Sequence, residues 1–207
     1  MSVESAQSST RDTILRETAT LFAMDGYAGV SMRDIANAAG ITPAALYHHF
    51  RDKSELYRAT MAHAFGSKMS DLPTVLFGEA PIEERFTGFI SWFCNLMSTD
   101  VIYARLMQRE MLDGDDERVH FLTENVFREP FKQTMVMMEE IAPNGDAHQL
   151  SVFVFGLIFG YYAFTPTRRL QPGYKLEHDD PERAARNIAH LVLNGLKSFS
   201  AVENAAQ

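Results

Sequence analysis

Gly40-Ile41-Thr42-Pro43-Ala44-Ala45-Leu46-Tyr47-His48-His49-Phe50-Arg51-Asp52-Lys53 is a turn followed by a capped short helix, and its reading decides the fold. Glycine offers the positive φ of a tight turn. Thr42 supplies a side-chain oxygen for a helix N-terminus, and Pro43 suits the first helical position because its missing N–H would be unpaired there anyway. Leu46 and Phe50, four residues apart, share a face that can enter a core. Pro43, Ala44, Tyr47 and His48 lie mostly on another side. A short helix with a small-residue nose and an aromatic flank suits the reading of a surface.

The flanking sequence builds a frame for it. Ser31 with Asp34 three residues on is a capping box, with Asp in place of the usual Glu or Gln, and predicts a helix over about Met32–Ala39 that Gly40 ends. Its apolar face is Ile35, Ala36 and Ala39, and such small side chains let two helices cross closely, as in a helix-turn-helix unit. Before it, Ile14, Leu15, Thr18, Ala19 and Phe22 carry helical spacing over about Thr10–Met24, with a stop near Gly26. Residues 1–9, rich in serine, are expected to be a flexible tail. After it, Asp52 and Glu55 form a second capping box for a helix reaching about Lys68.

Over residues 10 to 55 the chain resembles the DNA-binding domain of the TetR family of transcriptional regulators. The resemblance is carried by Gly26-Tyr27, Val30-Ser31-Met32-Arg33-Asp34-Ile35-Ala36, Ala39-Gly40-Ile41, Leu46-Tyr47-His48-His49-Phe50 and Lys53-Ser54-Glu55-Leu56, in order and in spacing. It implies that the helix from Pro43 enters the major groove while the preceding helix crosses the backbone. Ser31 and Arg33, at the first turn of that preceding helix, suit a phosphate. Tyr47, His49 and Lys53 occupy positions that hold the DNA backbone in similar proteins, and His48 is a candidate for a base or a phosphate. Thr42, Pro43, Ala44 and Ala45 form the nose, where relatives carry longer polar side chains. Three of these four lack side-chain hydrogen bonding, so sequence reading is expected to rest on thymine methyl groups and DNA shape.

Charge divides the chain in the same place. The 207 residues carry a formal charge of −8. Up to Ser70, seven cations (Arg11, Arg16, Arg33, Arg51, Lys53, Arg58, Lys68) balance seven acids, so the remainder holds the whole excess. A neutral module can grip phosphates when its cations share a face, while an acidic body discourages indiscriminate binding. One cysteine, Cys94, rules out an internal disulfide and a multi-cysteine zinc site. The N-terminus lacks a signal-peptide core, which gives a cytoplasmic expectation. Leu150–Phe164 is too short for a membrane span and reads as a buried helix.

Pro73, Gly78 and Pro81 loosen the pattern, which places a boundary there: residues 1–68 form the DNA-binding domain and 69–207 a helical ligand-binding and dimerisation domain. The class is therefore all-α, with a three-helix reader and about nine helices in all. Ile82–Ser98 carries Phe86, Phe89, Ile90, Phe93 and Met97 on one side, and Trp92, Cys94 and Leu96 extend the belt. A helix over about Asp100–Leu112 ends in an acidic run read as a turn and the first turn of the next helix. About Asp116–Ile141 reads as one long helix, kinked at Pro130. Asp146–Phe164, apolar nearly all round, is expected to be buried on several sides. Pro181–Ser200 follows on an Asp180 cap, with Ala184, Ala185, Ile188, Leu191, Val192 and Leu196 at helical spacing. The family resemblance implies that these last two helices pair with their twins in a homodimer, and Gly156 and Gly160 permit the close approach.

Trp92, Leu96, Tyr103, Met107, Phe121, Asn125, Met135, Phe155 and Tyr162 are candidates to line a pocket for a small, largely apolar effector. His48 with His49 and His120 with Glu124 do not assemble a metal site, and neither a nucleophile elbow nor a phosphate loop is present, so neither cofactor nor enzymatic activity is expected. The expected function is a homodimeric repressor released from a pseudo-palindromic double-stranded operator by that effector. The alternative is a helical small-molecule or lipid carrier that does not bind DNA.

Overall fold

The computed structural model describes residues 3–69, 72, 79–113 and 115–205. It is all-α, with no strand among the described residues. The chain forms two compact units. One contains Met1–Lys68 with Val101–Val126, the other Met69–Asp100 with Phe127–Gln207. The division expected after residue 68 thus coincides with one crossing of the chain, but 101–126 belongs with the N-terminal unit. Pro73 and Gly78, used to place that division, lie outside the described residues.

In the first unit, α1 spans Val3–Gly29, α2 Met32–Ala38, α3 Pro43–His49 and α4 Lys53–Met69. Helix α1 begins at Val3, so the segment read as a flexible tail is helical from there; neither proline nor glycine interrupts the chain between Val3 and Asp25. Its regular path ends at Gly26, which adopts φ 74°. Helix α6, Val101–Asp113, reinforces that end: Arg109 donates through Nε to the Ala23 carbonyl at 3.0 Å and through Nη2 to the Met24 carbonyl. Those are among the last carbonyls of a helix, which lack intrahelical partners. A side chain at Gly26 would also meet Arg109 Nη1, 3.0 Å from an ideal Cβ. Ile14, Leu15, Thr18, Phe22, Ile35, Ala36, Leu46, Phe50, Leu56 and Tyr57 are buried together as the unit's core.

The second unit is built from α5 (Ile82–Thr99), α8 (Arg128–Ile141), α9 (Ala147–Ala163) and α11 (Pro181–Ala205). Helix α11 packs along α5, and α9 packs against α8 and α5. The expected aromatic face of α5 is the core: Phe86, Phe89, Ile90, Phe93, Cys94 and Met97 are buried. Two short elements unforeseen in the sequence, α10 (Thr165–Arg168) and a 3₁₀ turn (Leu176–Asp179), connect α9 to α11.

The long helix expected from Asp116 to Ile141 is instead α7 (Asp116–Leu122), a π turn (Thr123–Phe127) and α8. The helical run is unbroken from Asp116 to Ile141, and its irregularity, the π turn, lies just before Pro130, whose missing N–H takes one bond out of the run. A second departure concerns α9. Leu150, Ser151, Val154 and Ile158 are buried, but Val152, Phe153, Leu157 and Phe164 are exposed, so burial on several sides is not reached within one chain. Leu191 of α11, read as part of an apolar face, is likewise exposed.

Candidate nucleic-acid interface

Local chemistry sets the geometry of α2 and α3. Ser31 Oγ accepts from the Asp34 N–H at 3.2 Å, and Asp34 Oδ2 accepts from the Ser31 N–H at 2.9 Å, completing the expected capping box. The carboxylate also accepts from the Ser31 hydroxyl at 2.5 Å, and that bond, followed by the backbone one, holds Asp34 below the usual carboxylate range. Gly40, with φ 67°, makes the turn. Thr42 then caps α3 by accepting from the Ala45 N–H at 3.1 Å, and Pro43 takes the first helical position. The second expected box is modified: Asp52 accepts from the Glu55 N–H at 2.8 Å, but Glu55 reaches the N–H of Arg51, at 2.9 Å, in place of that of Asp52.

Leu46 is wholly buried, while Tyr47 on the opposite side is 54% exposed. Thr42, Pro43, Ala44 and His48 are exposed, and Ala45 and His49 partly so. Ser31 and Arg33 are also exposed, at the start of α2. The ten residues expected to meet DNA therefore fall on three elements of one unit, around the turn between α2 and α3 and the start of α4. Nine of them present side chains outward or at the margin. Lys53 is different: its ammonium sits 4.3 Å from the centroid of the Tyr27 ring, and burial lowers its pKa, aided by the charge of Arg118.

That ring belongs to a polar network that sequence reasoning missed. The Arg118 guanidinium lies 4.8 Å from the Tyr27 centroid, reaches Glu110 at 3.2 Å and Asp115 at 2.7 Å, and is largely buried. Glu110 is only 6% exposed. Burial, then the neighbouring Glu110 carboxylate, push the Tyr57 hydroxyl upward. Tyr57 also packs edge-on against Tyr27, with centroids 5.3 Å apart. Arg58 pairs with Glu117 at 2.7 Å, and both, with Tyr27, Tyr57, Asp115 and Arg118, border a partly open cavity of about 40 Å³. In the sequence Tyr27 stands out only as part of the Gly26-Tyr27 motif. Arg118 stands in a charge-rich stretch whose spacing says nothing about a tyrosine 91 residues earlier.

The effector candidates divide between the units. Trp92, Leu96, Met135, Phe155 and Tyr162 lie in the second, Tyr103, Met107, Phe121 and Asn125 in the first. Trp92 stacks on Phe89, which meets Phe155 edge-on, and Phe155 stacks on Phe131. Tyr162 faces the Cys94 thiol, which burial pushes up to about 11. In the first unit Tyr103 packs on Phe65, Met107 is buried, Phe121 borders the small cavity, and Asn125 donates to the Phe121 carbonyl one turn back. No group of three or more His, Cys, Asp or Glu is gathered for a metal among the described residues. Nor is any described helix long and apolar enough to cross a membrane.

Comparison with known proteins places this geometry. Residues 14–60 match the model of the bacterial regulatory proteins of the tetR family. Over 202 residues the chain is 44% identical to the HTH-type transcriptional repressor KstR2 of Mycolicibacterium smegmatis, covering 93% of each chain. It is 37% identical over 201 residues to the repressor of the same name from Rhodococcus jostii, covering 94% of each. The solved structure of the ketosteroid transcriptional regulator KstR2 of Mycobacterium tuberculosis shares the fold, with a TM-score of 0.66 and 21% identity over 90% of this chain and 94% of that one.

Proposed function

The chain belongs to the TetR family of bacterial transcriptional regulators, and from that premise we propose that α3 reads operator DNA in the major groove while α2 lies across the backbone. It is a DNA-binding repressor and not an enzyme. The observation that carries the assignment of the reading surface is the division of α3, with Leu46 and Phe50 buried in the core and Tyr47 and His48 displayed with the Thr42–Ala45 nose. Ser31, Arg33, Tyr47, His49 and Lys53 hold phosphates in this reading, and Thr42, Pro43, Ala44, Ala45 and His48 face the base edges. Likeness to two repressors over nearly the whole length supports it over a carrier that does not bind DNA.

The protein acts in the cytoplasm as a homodimer on a pseudo-palindromic operator. Exposed Val152, Phe153 and Leu157 on α9 and Leu191 on α11 form the surface that a second copy covers. An added Cβ at Gly156, Gly160 or Gly195 would meet no atom within 4 Å, so the helix backbones are open to close approach there. Such a surface costs free energy in water and is gained back on association. The effector is a largely apolar molecule held in the body beside the aromatic cluster of Phe89, Trp92 and Phe155. The shared name of the two relatives with a ketosteroid regulator supports a ring-containing ligand of that kind. It releases DNA only to the extent that it favours one arrangement of the reading helices over the other.

The test is selection of bound duplexes from random-sequence DNA, followed by fluorescence anisotropy at several salt concentrations. Affinity falling steeply with salt, at a site with two inverted half-sites, is expected. Binding with no preferred sequence would overturn the reading. Titration of the complex with androstenedione, with a fatty acid for comparison, tests the effector class: release by neither removes the apolar assignment.

A further inference from the structure

The first unit places two cations from different helices over one aromatic ring, an arrangement that DNA reading alone does not require. Lys53, the first residue of α4, and Arg118 of α7 lie 4.3 Å and 4.8 Å from the Tyr27 centroid. The negative face of a tyrosine attracts either cation, and more strongly when water is displaced. The two charges also repel one another, which contributes to the lowered pKa of the lysine.

The two cations are not equivalent partners of the ring. Arg118 is fixed by the buried Glu110 and by Asp115, the cap of its own helix, so its place over Tyr27 is set by α6 and α7. Its guanidinium is a planar fork well suited to two carboxylates. Lys53 carries its ammonium on a flexible four-carbon stem at a partly exposed helix start, and can exchange the ring for a phosphate at small cost.

We propose that Arg118 is a positioning residue for the phosphate grip of Lys53. By occupying Tyr27 it makes the ring a poorer seat for the lysine and biases the ammonium toward DNA. Lys53 rests on the ring with Arg118 in place; a movement of α7 that withdraws Arg118 removes the repulsion that makes this seat shallow, so the ammonium stays on the ring and the grip is weakened. The inference rests on the reading of Lys53 as a phosphate contact, and the experiment separates the two.

Operator affinity and its salt dependence are measured by anisotropy on the selected duplex for Lys53→Gln, Arg118→Gln, Arg118→Lys and the double variant Lys53→Gln/Arg118→Gln, with folding checked by circular dichroism. Lys53→Gln is expected to weaken binding and flatten the plot of log affinity against log salt, since each phosphate neutralised contributes roughly −0.9 to that slope. Arg118→Gln is expected to weaken binding by about 3- to 10-fold, the size of one cation–π contact, to flatten the slope, and to add little in the Lys53→Gln background. Arg118→Lys keeps the charge over the ring and retains the slope. A loss from Arg118→Gln that is equal in both backgrounds, or that leaves the slope unchanged, overturns the coupling while leaving the Lys53 contact intact. A Lys53→Gln variant with wild-type affinity and slope overturns both. Should Arg118→Gln not fold, Arg118→Lys decides: a flattened slope refutes the proposal and a retained one supports it.

Discussion

Replacing Thr42 with alanine removes one hydrogen bond, from the Ala45 N–H to Thr42 Oγ1 at 3.1 Å, and leaves the core contacts of α3 in place. The helix has only seven residues, so little else than this cap, Pro43 and the buried Leu46 fixes its start. Loss of a threonine cap costs about 0.5–2 kcal/mol. Because Thr42 is exposed and water can take the vacated place, about 1 kcal/mol is the appropriate figure here, in the lower part of that range. At 1.4 kcal/mol per factor of ten this sets a ceiling of roughly 5-fold for one reading helix, reached when the uncapped start re-forms only on DNA, and of roughly 25- to 30-fold where two protomers bind one operator. The assay is anisotropy on the selected duplex at fixed salt, with Thr42→Ser as the variant that keeps the accepting oxygen. Thr42→Ser is expected to stay within about 2-fold of wild type, since Ser and Thr cap comparably. Thr42→Ala should keep the wild-type salt slope, because no phosphate contact is lost. A serine variant as weak as the alanine variant would refute the capping argument and assign the loss to the threonine methyl group at the base edges, and a flattened slope in the alanine variant would show a phosphate contact by Thr42 instead.

Phe153→Asp places a charge on the exposed face of α9, where the side chain is 59% exposed in the single chain; light scattering is expected to show a monomer with an unchanged helical spectrum, and a persistent dimer would move the interface elsewhere. The capping carboxylates make the reader acid-sensitive: hydrogen bonds from Ser31 hold Asp34 low, and those from Glu55 and Arg51 hold Asp52 low. A carboxylate whose folded pKa lies below its unfolded value stabilises the fold above the unfolded value, near 3.9, and the contribution is lost as pH falls through the folded value. The thermal midpoint of wild type should therefore fall more than that of Asp34→Asn between about pH 5 and pH 3, and parallel curves would contradict this. Cys94 is buried, with its thiol pushed up to about 11; alkylation by iodoacetamide at pH 8 should be far slower in the native protein than in urea, and equal rates would show that the thiol is open to solvent.

The reader was legible in the sequence because its signals are local. Ser31 with Asp34, Gly40, and Thr42 before Pro43 each act within four residues, and each stands where expected. Periodicity also identified the cores around Phe22 and Leu46 and along α5. It could not say that α9 leaves Phe153 and Leu157 uncovered, because an all-apolar helix has the same sequence whether a chain or its twin covers the second face. Nor could it distinguish the π turn at Thr123–Phe127 from a kink at Pro130, since both interrupt one helical pattern.

The sequence alone determined an all-α chain with a capped reading helix and its exposed flank, since caps, turns and helical spacing are properties of neighbouring residues. Tertiary structure decided the rest. It put 101–126 with the reader, set Arg109 against the last carbonyls of α1, and brought Arg118 to the ring that Lys53 occupies. Those partners are separated by long stretches of chain, and only the packing of helices fixes which charges meet.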